Sequence, residues 1–580
     1  MKKYVFVRII GEYLYIKGKE KSASYKLADS TIIQVGILKK IIQNYTIVLY
    51  DNDNSQLQCL SSMLNSLDNF ENEQKIYFKK SPVDQYRLTN RNSQPKINVD
   101  KRIKFVNLAK LLKQKDKPLS FYAARFDLQK IYYNDNNFES LDEPEKERFL
   151  AFEANVVECL YHELMPGIEI RDAIKDRFGI DVSNCSDPQI AEKYFRAKQP
   201  YKANKITRDT IRYVAPGYIN FASDNLNSLL KELQARSYEV DSQGKLIKEA
   251  DDHKSVKVNG KVYKLGLGGL HSCEKSISVV PGEDEFLCEV DVTSYYPSII
   301  INNSYYPQSY GAEFLSFYKE LYLQRKQLLA DGDTIGADIY KLIINNCFGK
   351  FGSPHSCLYD LKMLIQTTIT GQLALLMLIE LLGIYNIEVV SANTDALVIK
   401  GKKVDKKKLD NILDLWKNHN SFVFVQLALK SIHLESVNSY VSFLENGAIK
   451  SKGAFTKPTI HNTASLEICK KAVFQYLNDG IPVIDTIINQ NTKLNNFFGV
   501  SYSSNGISMK SNPLGQVVRW YYSTDGEQLT CSKTGRKVCN ASSVRVISDI
   551  KDSSSDIDYK RYVNESYNLL KKVGVNSNEI

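Results

Sequence analysis

Two aspartates carry the chemical interest of this 580-residue chain. Asp291 lies in CEVDVTSYYPSIIINN, where a strand pattern gives way to an aromatic turn and then to a helix. Asp395 lies in VVSANTDALVIK between two apolar β-type runs, which predicts a hairpin with the acid at its tip. Carboxylates brought together from adjacent strands repel each other unless cations lie between them. Divalent ions held there can polarise both the attacking and the leaving oxygen of a phosphoryl transfer. Two solvated turn aspartates are the other reading of the same pattern. Between the acids, DIYKLIINNCFGKFG places Lys341, Asn345 and Phe348 at helical spacing on one face. A lone Lys on a helix is ordinarily just solvated, but a metal-bound triphosphate needs a compensating cation of this kind. The three segments together could make one site.

The elements that must position these groups come from a chain too long for one core, so about three to five domains are expected. Hydrophobic residues make up 43% and charged residues 24%, which excludes disordered, collagenous and fibrous classes. Lys plus Arg number 76 against 66 Asp plus Glu, a formal +10 that permits a polyanionic partner without requiring one. The ten Cys contain no Cys-x-x-Cys pair, so neither a zinc ribbon nor a disulfide scaffold is suggested. The amino-terminal MKKYVFVRIIGEYLYIKGKE alternates like a strand and does not read as a signal segment. The longest apolar stretch, 373–384, is broken by Glu380 and is shorter than the roughly 20 residues of a membrane span, so a soluble chain without a membrane partner is expected. Short β-type runs alternate with helical stretches up to about residue 240. Residues 313–347 read as two helices joined at Ala330-Asp-Gly-Asp333, and a long helix is predicted from about 365 to 382.

On these motifs the sequence resembles the family B DNA polymerases, particularly the compact phage-type members. The family's motif A, D-x-x-S-L-Y-P-S-I-I, is matched by DVTSYYPSII at 291–300, with Tyr295 in place of Leu. Motif B, K-x-x-x-N-S-x-Y-G, is matched by KLIINNCFG at 341–349, with Asn346 for Ser and Phe348 for Tyr. Motif C, Y-x-D-T-D-S in most members, is SANTDA here, so Asn393 replaces the first acid and Asp395 keeps the second. The resemblance implies a mixed α/β and α+β multidomain fold. An exonuclease-like (RNase H-like) amino-terminal domain at 1–240 and a connecting segment at 241–260 would precede a right-hand polymerase. Its palm would be 261–312 and 353–455, its fingers 313–352, and its thumb with the carboxy-terminal region 456–580.

By the same resemblance the activity is DNA-directed DNA synthesis from a primer 3′-hydroxyl, with Asp291, Asp395 and Lys341 catalytic. Asp291, Asp395 and Val292 would hold two Mg²⁺ ions, for which Mn²⁺ can substitute. The loss of an acid at Asn393 implies weaker or altered metal dependence. Nucleotide binding would fall to Arg325, Lys341, Asn345, Tyr296 and Ser294, with Lys326 competing with Arg325 as the fingers cation and Tyr296 as the steric gate under the sugar. Three segments resemble DNA-contacting elements of the family: LGLGGLHS with Gly268 and Gly269, AIKSKGAF with Lys450 and Lys452, and PLGQVVRWYY with Arg519 and Tyr521. The implied partners are primer–template DNA, deoxynucleoside triphosphates and an accessory processivity factor. The implied location is cytoplasmic, in a bacterial host if the chain is phage-encoded. The intervals from Asp291 to Lys341 and from Lys341 to Asp395 are each about fifty residues, too short for the insertions that serve protein priming, so an ordinary primer is expected. A non-catalytic polymerase-like DNA-binding protein, and untemplated or RNA-templated synthesis, are the alternatives.

Proofreading members of the family carry four exonuclease acids. Their second motif is best matched by SFYAARFDLQKI, with Asp127 present and Ala123 for Asn, and their first by YTIVLYDND, with Asp51 and a shortened Asp53. The third, Tyr-x-x-x-Asp, is best placed at YINFA and ends at Ala222, with Asp224 as a substitute two residues on. A competing alignment puts the first motif on YVFVRII, with Arg8 and Ile10 at the acid positions. Two cations need several carboxylates, so editing is expected to be weak or absent.

Overall fold

The computed structural model describes residues 4–10, 13–19, 21–26, 40–42, 44–51, 55–61, 103–113, 117–126, 128, 135–199, 210–247, 254–266, 268–457, 459–460, 466–489, 493–549 and 556–575. The chain divides into two compact units. One comprises Met1–Ser186, Pro458–Ile468 and Ile487–Tyr562, and the other Asp187–Lys457, Cys469–Thr486 and Val563–Ile580. The division falls after Ser186, ahead of the residue-240 boundary expected from composition, and 456–580 contributes to both units. An amphipathic helix does not announce whose core its apolar face joins. Helix Asp187–Lys198 stacks Phe195 on Phe314 at 5.0 Å and receives Lys350 on Glu192 at 3.2 Å, which places it with the second unit.

In the first unit, β-rich stretches build a five-stranded sheet in the order Ser22–Lys26, Tyr13–Lys17, Tyr4–Ile10, Thr46–Leu49, Phe105–Asn107. The first three strands are antiparallel, and Thr46–Leu49 and Phe105–Asn107 run parallel to Tyr4–Ile10. Helix Glu143–Glu163 starts where Asp142 accepts from the Glu145 N–H at 2.8 Å and a proline occupies the first turn, a favourable start on both counts. Its buried Val156, Val157 and Leu160 share a core with Phe6 and Val48 of the sheet. A second, four-stranded sheet in this unit is dominated by the long hairpin Gly499–Met509 and Asn512–Glu527.

The second unit is organised by a ten-stranded sheet whose central members are Phe424–Ser436, Glu285–Val292, Ala396–Lys402 and Glu388–Asn393, in that spatial order and antiparallel throughout. Alternation along Glu285–Val292 sets the layering. Cys288, Val290 and Val292 join the large core, while Leu287 belongs to a separate cluster on the opposite face, the face that Glu289 and Asp291 share by period. The large core is closed by helices Leu361–Ile384 and Lys406–Asn420, and the Trp416 indole donates to the Ala374 carbonyl at 2.8 Å. Helix Leu361–Ile384 is longer than its apolar run suggested and, at 24 residues and a hydropathy of 1.7, has the length and composition of a membrane span. However, 83% of its most apolar window is buried inside the protein. Its buried polar side chains have partners there: Gln366 donates to Val214 and Gln372 to Gly266. The expected helical hairpin is formed by Glu313–Ala330 and Thr334–Phe351, where Asp333 caps the second helix by accepting from the Gly336 N–H at 2.8 Å.

Candidate active site

Asp291 pairs in register with Ala396, and the next residue, Val292, donates its N–H to the Asp395 carbonyl at 2.9 Å. Asp291 therefore sits on a strand and Asp395 in the hairpin turn hydrogen-bonded to it, at the usual strand spacing of about 4.8 Å. The residues beside them are held in the left-handed region, Ser294 at φ 53° and Thr394 at φ 60°. For residues with a Cβ that conformation costs roughly 1–3 kcal/mol, and such strain persists only where the surroundings impose it. Here the Thr394 N–H donates to Leu270 at 2.8 Å and the Thr293 N–H to Val423 at 2.8 Å. Burial, reinforced by the Asp291 charge and then by Glu289, pushes the Asp395 carboxyl up to about 6, with Lys452 pulling the other way. Asp291 is likewise raised by burial and then by Glu289, with Lys450 opposing. Two half-buried acids that resist simultaneous ionisation form the kind of pair a divalent cation would relieve.

On one side of the pair opens a cavity of about 520 Å³, lined by Asp291, Val292, Ser294, Tyr296, Arg325, Lys341, Asn345, Phe348 and Asp395 among others. The structure thus brings the predicted nucleotide residues to the same space as the acids. Lys341 and Asn345 are exposed on one face of helix Thr334–Phe351, and Lys341 enters no ion pair among the described residues. Arg325 donates from Nη1 to Ser294 Oγ at 2.6 Å, and its Nε is buried without a partner among the described residues. The Tyr296 ring stacks on Phe348 with centroids 4.2 Å apart and 15° between planes, and its hydroxyl donates to the Gly268 carbonyl at 3.2 Å. Burial, then the nearby Asp395, raises the Tyr296 phenol, which stays neutral.

A second cavity of about 310 Å³ meets the same acids and is lined by Glu289, Asn393, Thr394, Tyr440, Lys450 and Lys452 among others. Lys450 and Lys452, expected at DNA, therefore line a cavity beside the acids, with Lys450 on Glu289 at 2.8 Å. Asn393 donates its amide N–H to the Val437 carbonyl at 2.8 Å, a bond that an ionised Asp at this position could not make. Gly269 is constrained from within: a Cβ there would lie 2.6 Å from Thr394 Oγ1 and 2.7 Å from Thr394 Cα, while one at Gly268 would meet nothing within 4 Å. Glu289 was missed in sequence. The signal was present, because E-V-D in a strand puts both acids on one face.

Other expectations meet a different structure. Arg519 and Tyr521, read as DNA contacts, are each 1% exposed. Arg519 donates to the Leu128 carbonyl at 3.3 Å and lies 4.8 Å over the Phe498 ring, and the Tyr521 hydroxyl donates to Asp556 at 2.9 Å. Residues 517–523 are buried without a break, so neither side chain presents a surface to a ligand. Of the four exonuclease-like positions, Asp53 and Asp127 lie outside the described residues. Asp51 is buried, and its Oδ2 accepts from the Leu57 N–H at 3.0 Å while its backbone pairs with the Asn107 amide. Ala222 belongs to the other compact unit, where its N–H and that of Ser223 donate to Glu380 at 2.9 and 2.8 Å. Asp224 follows as the first residue of helix Asp224–Ala235. In the competing register Arg8 is paired with Glu153 at 2.5 Å, so a cation occupies that acid position.

Among the described residues no group of three His, Cys, Asp or Glu side chains is arranged to hold a metal. Asp291 and Asp395 alone fit Mg²⁺ that takes its remaining oxygens from water and substrate phosphates, the usual pattern for that ion.

No protein-family model matches the chain, and no curated protein does either. Among solved structures, the family B DNA polymerase of the hyperthermophilic archaeon Pyrobaculum calidifontis is similar at a TM-score of 0.44 and 12% identity, over 99% of this chain and 78% of that one. The likeness is remote, and the functional reading stands on the side chains.

Proposed function

We propose that the chain is a DNA-directed DNA polymerase, a nucleotidyltransferase that extends a primer 3′-hydroxyl with deoxynucleoside triphosphates on primer–template DNA. One observation carries the reading. Two aspartates, one on a strand and one in the turn hydrogen-bonded to it, share a cavity with two cations, Arg325 and Lys341, supplied by the two helices of the hairpin. Asp291 and Asp395 would hold the Mg²⁺ ions, with Val292 positioning the second acid through its backbone bond. When bound, the ions supply charge neutralisation at the transferring phosphoryl group and a lower pKa for the attacking hydroxyl.

The chain's own residues do the rest by positioning. Lys341 offers a cation to the departing pyrophosphate. Arg325 can exchange the Ser294 hydroxyl for a phosphate oxygen, a stronger, charge-assisted partner. The stacked rings of Tyr296 and Phe348 give a flat apolar floor, pinned by the bond to Gly268, on which a sugar lacking a 2′-hydroxyl fits. In the amino-terminal region, capped Asp51 and paired Arg8 support a domain whose editing chemistry is weak or absent and which serves as scaffold.

Primer extension tests the reading. Asp395→Ala and Asp291→Ala are each expected to abolish extension while leaving primer–template affinity within about twofold, since neither acid offers attraction to phosphate. Extension retained in either variant removes the metal role. Running DNA, RNA and no template side by side separates templated DNA copying from reverse transcription and untemplated addition, and a wild-type chain that extends nothing would leave only a DNA-binding role.

A further inference from the structure

Glu289 is a buried carboxylate that the proposed chemistry does not use. Its residue is 7% exposed, and in register it is flanked by Val398 and Leu427, so the strands on both sides give it apolar neighbours. A lone charge there would be strongly unfavourable. Lys450 compensates it, with Nζ 2.8 Å from Oε2. Lys450 is the less buried partner, its side chain 34% exposed against 9% for Glu289, and it lines the cavity that Asp291 and Asp395 also line. The ammonium has three donors and the ion pair uses one, which leaves donors for an anion entering that cavity. Lysine on a flexible stem is otherwise a poorly fixed charge, and a buried anchor removes that freedom.

We propose that Glu289 is a positioning residue that fixes the Lys450 ammonium beside the acid pair, where it takes a backbone phosphate of the primer strand. The inference rests on the polymerase reading and adds to it the residue that aims the clamp. It also gives Glu289 a reason to lie two residues before Asp291 without being a ligand: its charge is committed to Lys450, and no third acid joins the pair in a metal-holding arrangement among the described residues.

Binding of a labelled primer–template, followed by fluorescence anisotropy across a salt series in EDTA, isolates this contact from any divalent ion. Glu289→Gln keeps the shape and removes the anchoring charge. Its Kd is expected to weaken by about tenfold, the loss of one charge-assisted bond, and its log–log salt slope to become shallower by about 0.9, one phosphate. Lys450→Ala is expected to match it, Lys450→Arg to retain binding, and the double variant Glu289→Gln/Lys450→Ala to be no weaker than either single. Wild-type affinity in Glu289→Gln, or losses that add in the double variant, overturns the proposal. So does an effect confined to the Mg²⁺ concentration needed for extension, which would make Glu289 a metal ligand. If Glu289→Gln melts below the assay temperature, Glu289→Asp replaces it, withdrawing the anchor by one methylene. It is expected to weaken binding in the wild-type background but not alongside Lys450→Ala, and equal effects in both overturn the inference. A wild-type chain that does not bind primer–template at all removes the polymerase reading instead.

Discussion

At the scale of single residues the electrostatics of Asp395 make a testable prediction. Its folded-state carboxyl is raised to about 6 from the ordinary 3.8, so between those values the folded state binds the extra proton and the unfolded state has lost it. This contribution to stability is present at low pH and is lost as pH rises through about 6. His433 titrates in the same window with the opposite sign: buried with its ring nitrogens on Ser278 and Ser431, it is held down to about 4. The informative quantity is therefore the difference in melting temperature between wild type and Asp395→Asn across pH 4–7. In the absence of divalent ions the wild type is expected to fall relative to the variant, and added Mg²⁺ to cancel the fall; parallel curves would show that Asp395 is not strained by its neighbours. At the sugar, Tyr296→Ala removes the ring stacked on Phe348 and is expected to admit ribonucleotides, read as the ratio of ribo- to deoxynucleotide incorporation. Asn393→Asp, which replaces the amide that donates to Val437 with a carboxylate, is expected to destabilise by about 1–3 kcal/mol by setting that carboxylate against the Val437 carbonyl, with no gain in extension. Urea melts and extension assays check both halves. The side-chain types at 291, 341 and 395 were legible in sequence because each stands in a distinctive local pattern, a strand running into an aromatic turn, a helix face and a hairpin tip. The bond that Asn393 makes was not, because its acceptor is 44 residues away.

At the scale of elements, the predictable features were those written in local pattern. Asp333 caps its helix where the turn-forming cluster predicts, and Asp395 follows Glu388–Asn393 at the hairpin tip. Less legible was why two adjacent glycines precede strand His271–Ser272. The structure separates them: Gly268 has open space and Gly269 abuts Thr394. Gly269→Ala must displace the turn that carries Asp395 and is expected to lower kcat by about tenfold or more, as misplacement of about 1 Å does at other sites, with little change in DNA affinity. Gly268→Ala is expected to leave kcat near wild type. If the two substitutions instead cost DNA affinity equally, the glycines serve the approach of a strand, as their sequence context first suggested. Glu380 makes a related point: the same carboxylate that interrupts the apolar run accepts from the start of helix Asp224–Ala235. A polar residue inside an apolar stretch was read as a break when it is a cap supplied from a distance.

At the scale of the whole molecule, composition speaks to class, whereas the compact units divide after Ser186 and share 456–580, because chain order does not say which core an amphipathic face joins. Arg519 and Tyr521 show the same limit: a basic and an aromatic residue in a β segment look like a nucleic-acid surface until burial assigns them to the interior. For the amino-terminal region the expectation is that purified protein with Mg²⁺ leaves labelled single-stranded DNA undegraded over times in which it completes primer extension, and brisk shortening would restore an editing site. Finally, the Val292–Asp395 bond ties the tight turn that carries Asp395 to the strand that carries Asp291, in register with the Asp291–Ala396 pair, which makes the acids a matter of phase. Insertions in the intervening fifty-odd residue spans can lengthen the helices or their turns without separating the carboxylates. A single residue added between Leu287 and Asp291 would rotate the acid into the core and offer the cavity an aliphatic side chain in its place. Variation in chains of this kind should therefore be generous in length between these strands and intolerant of even one-residue indels within them.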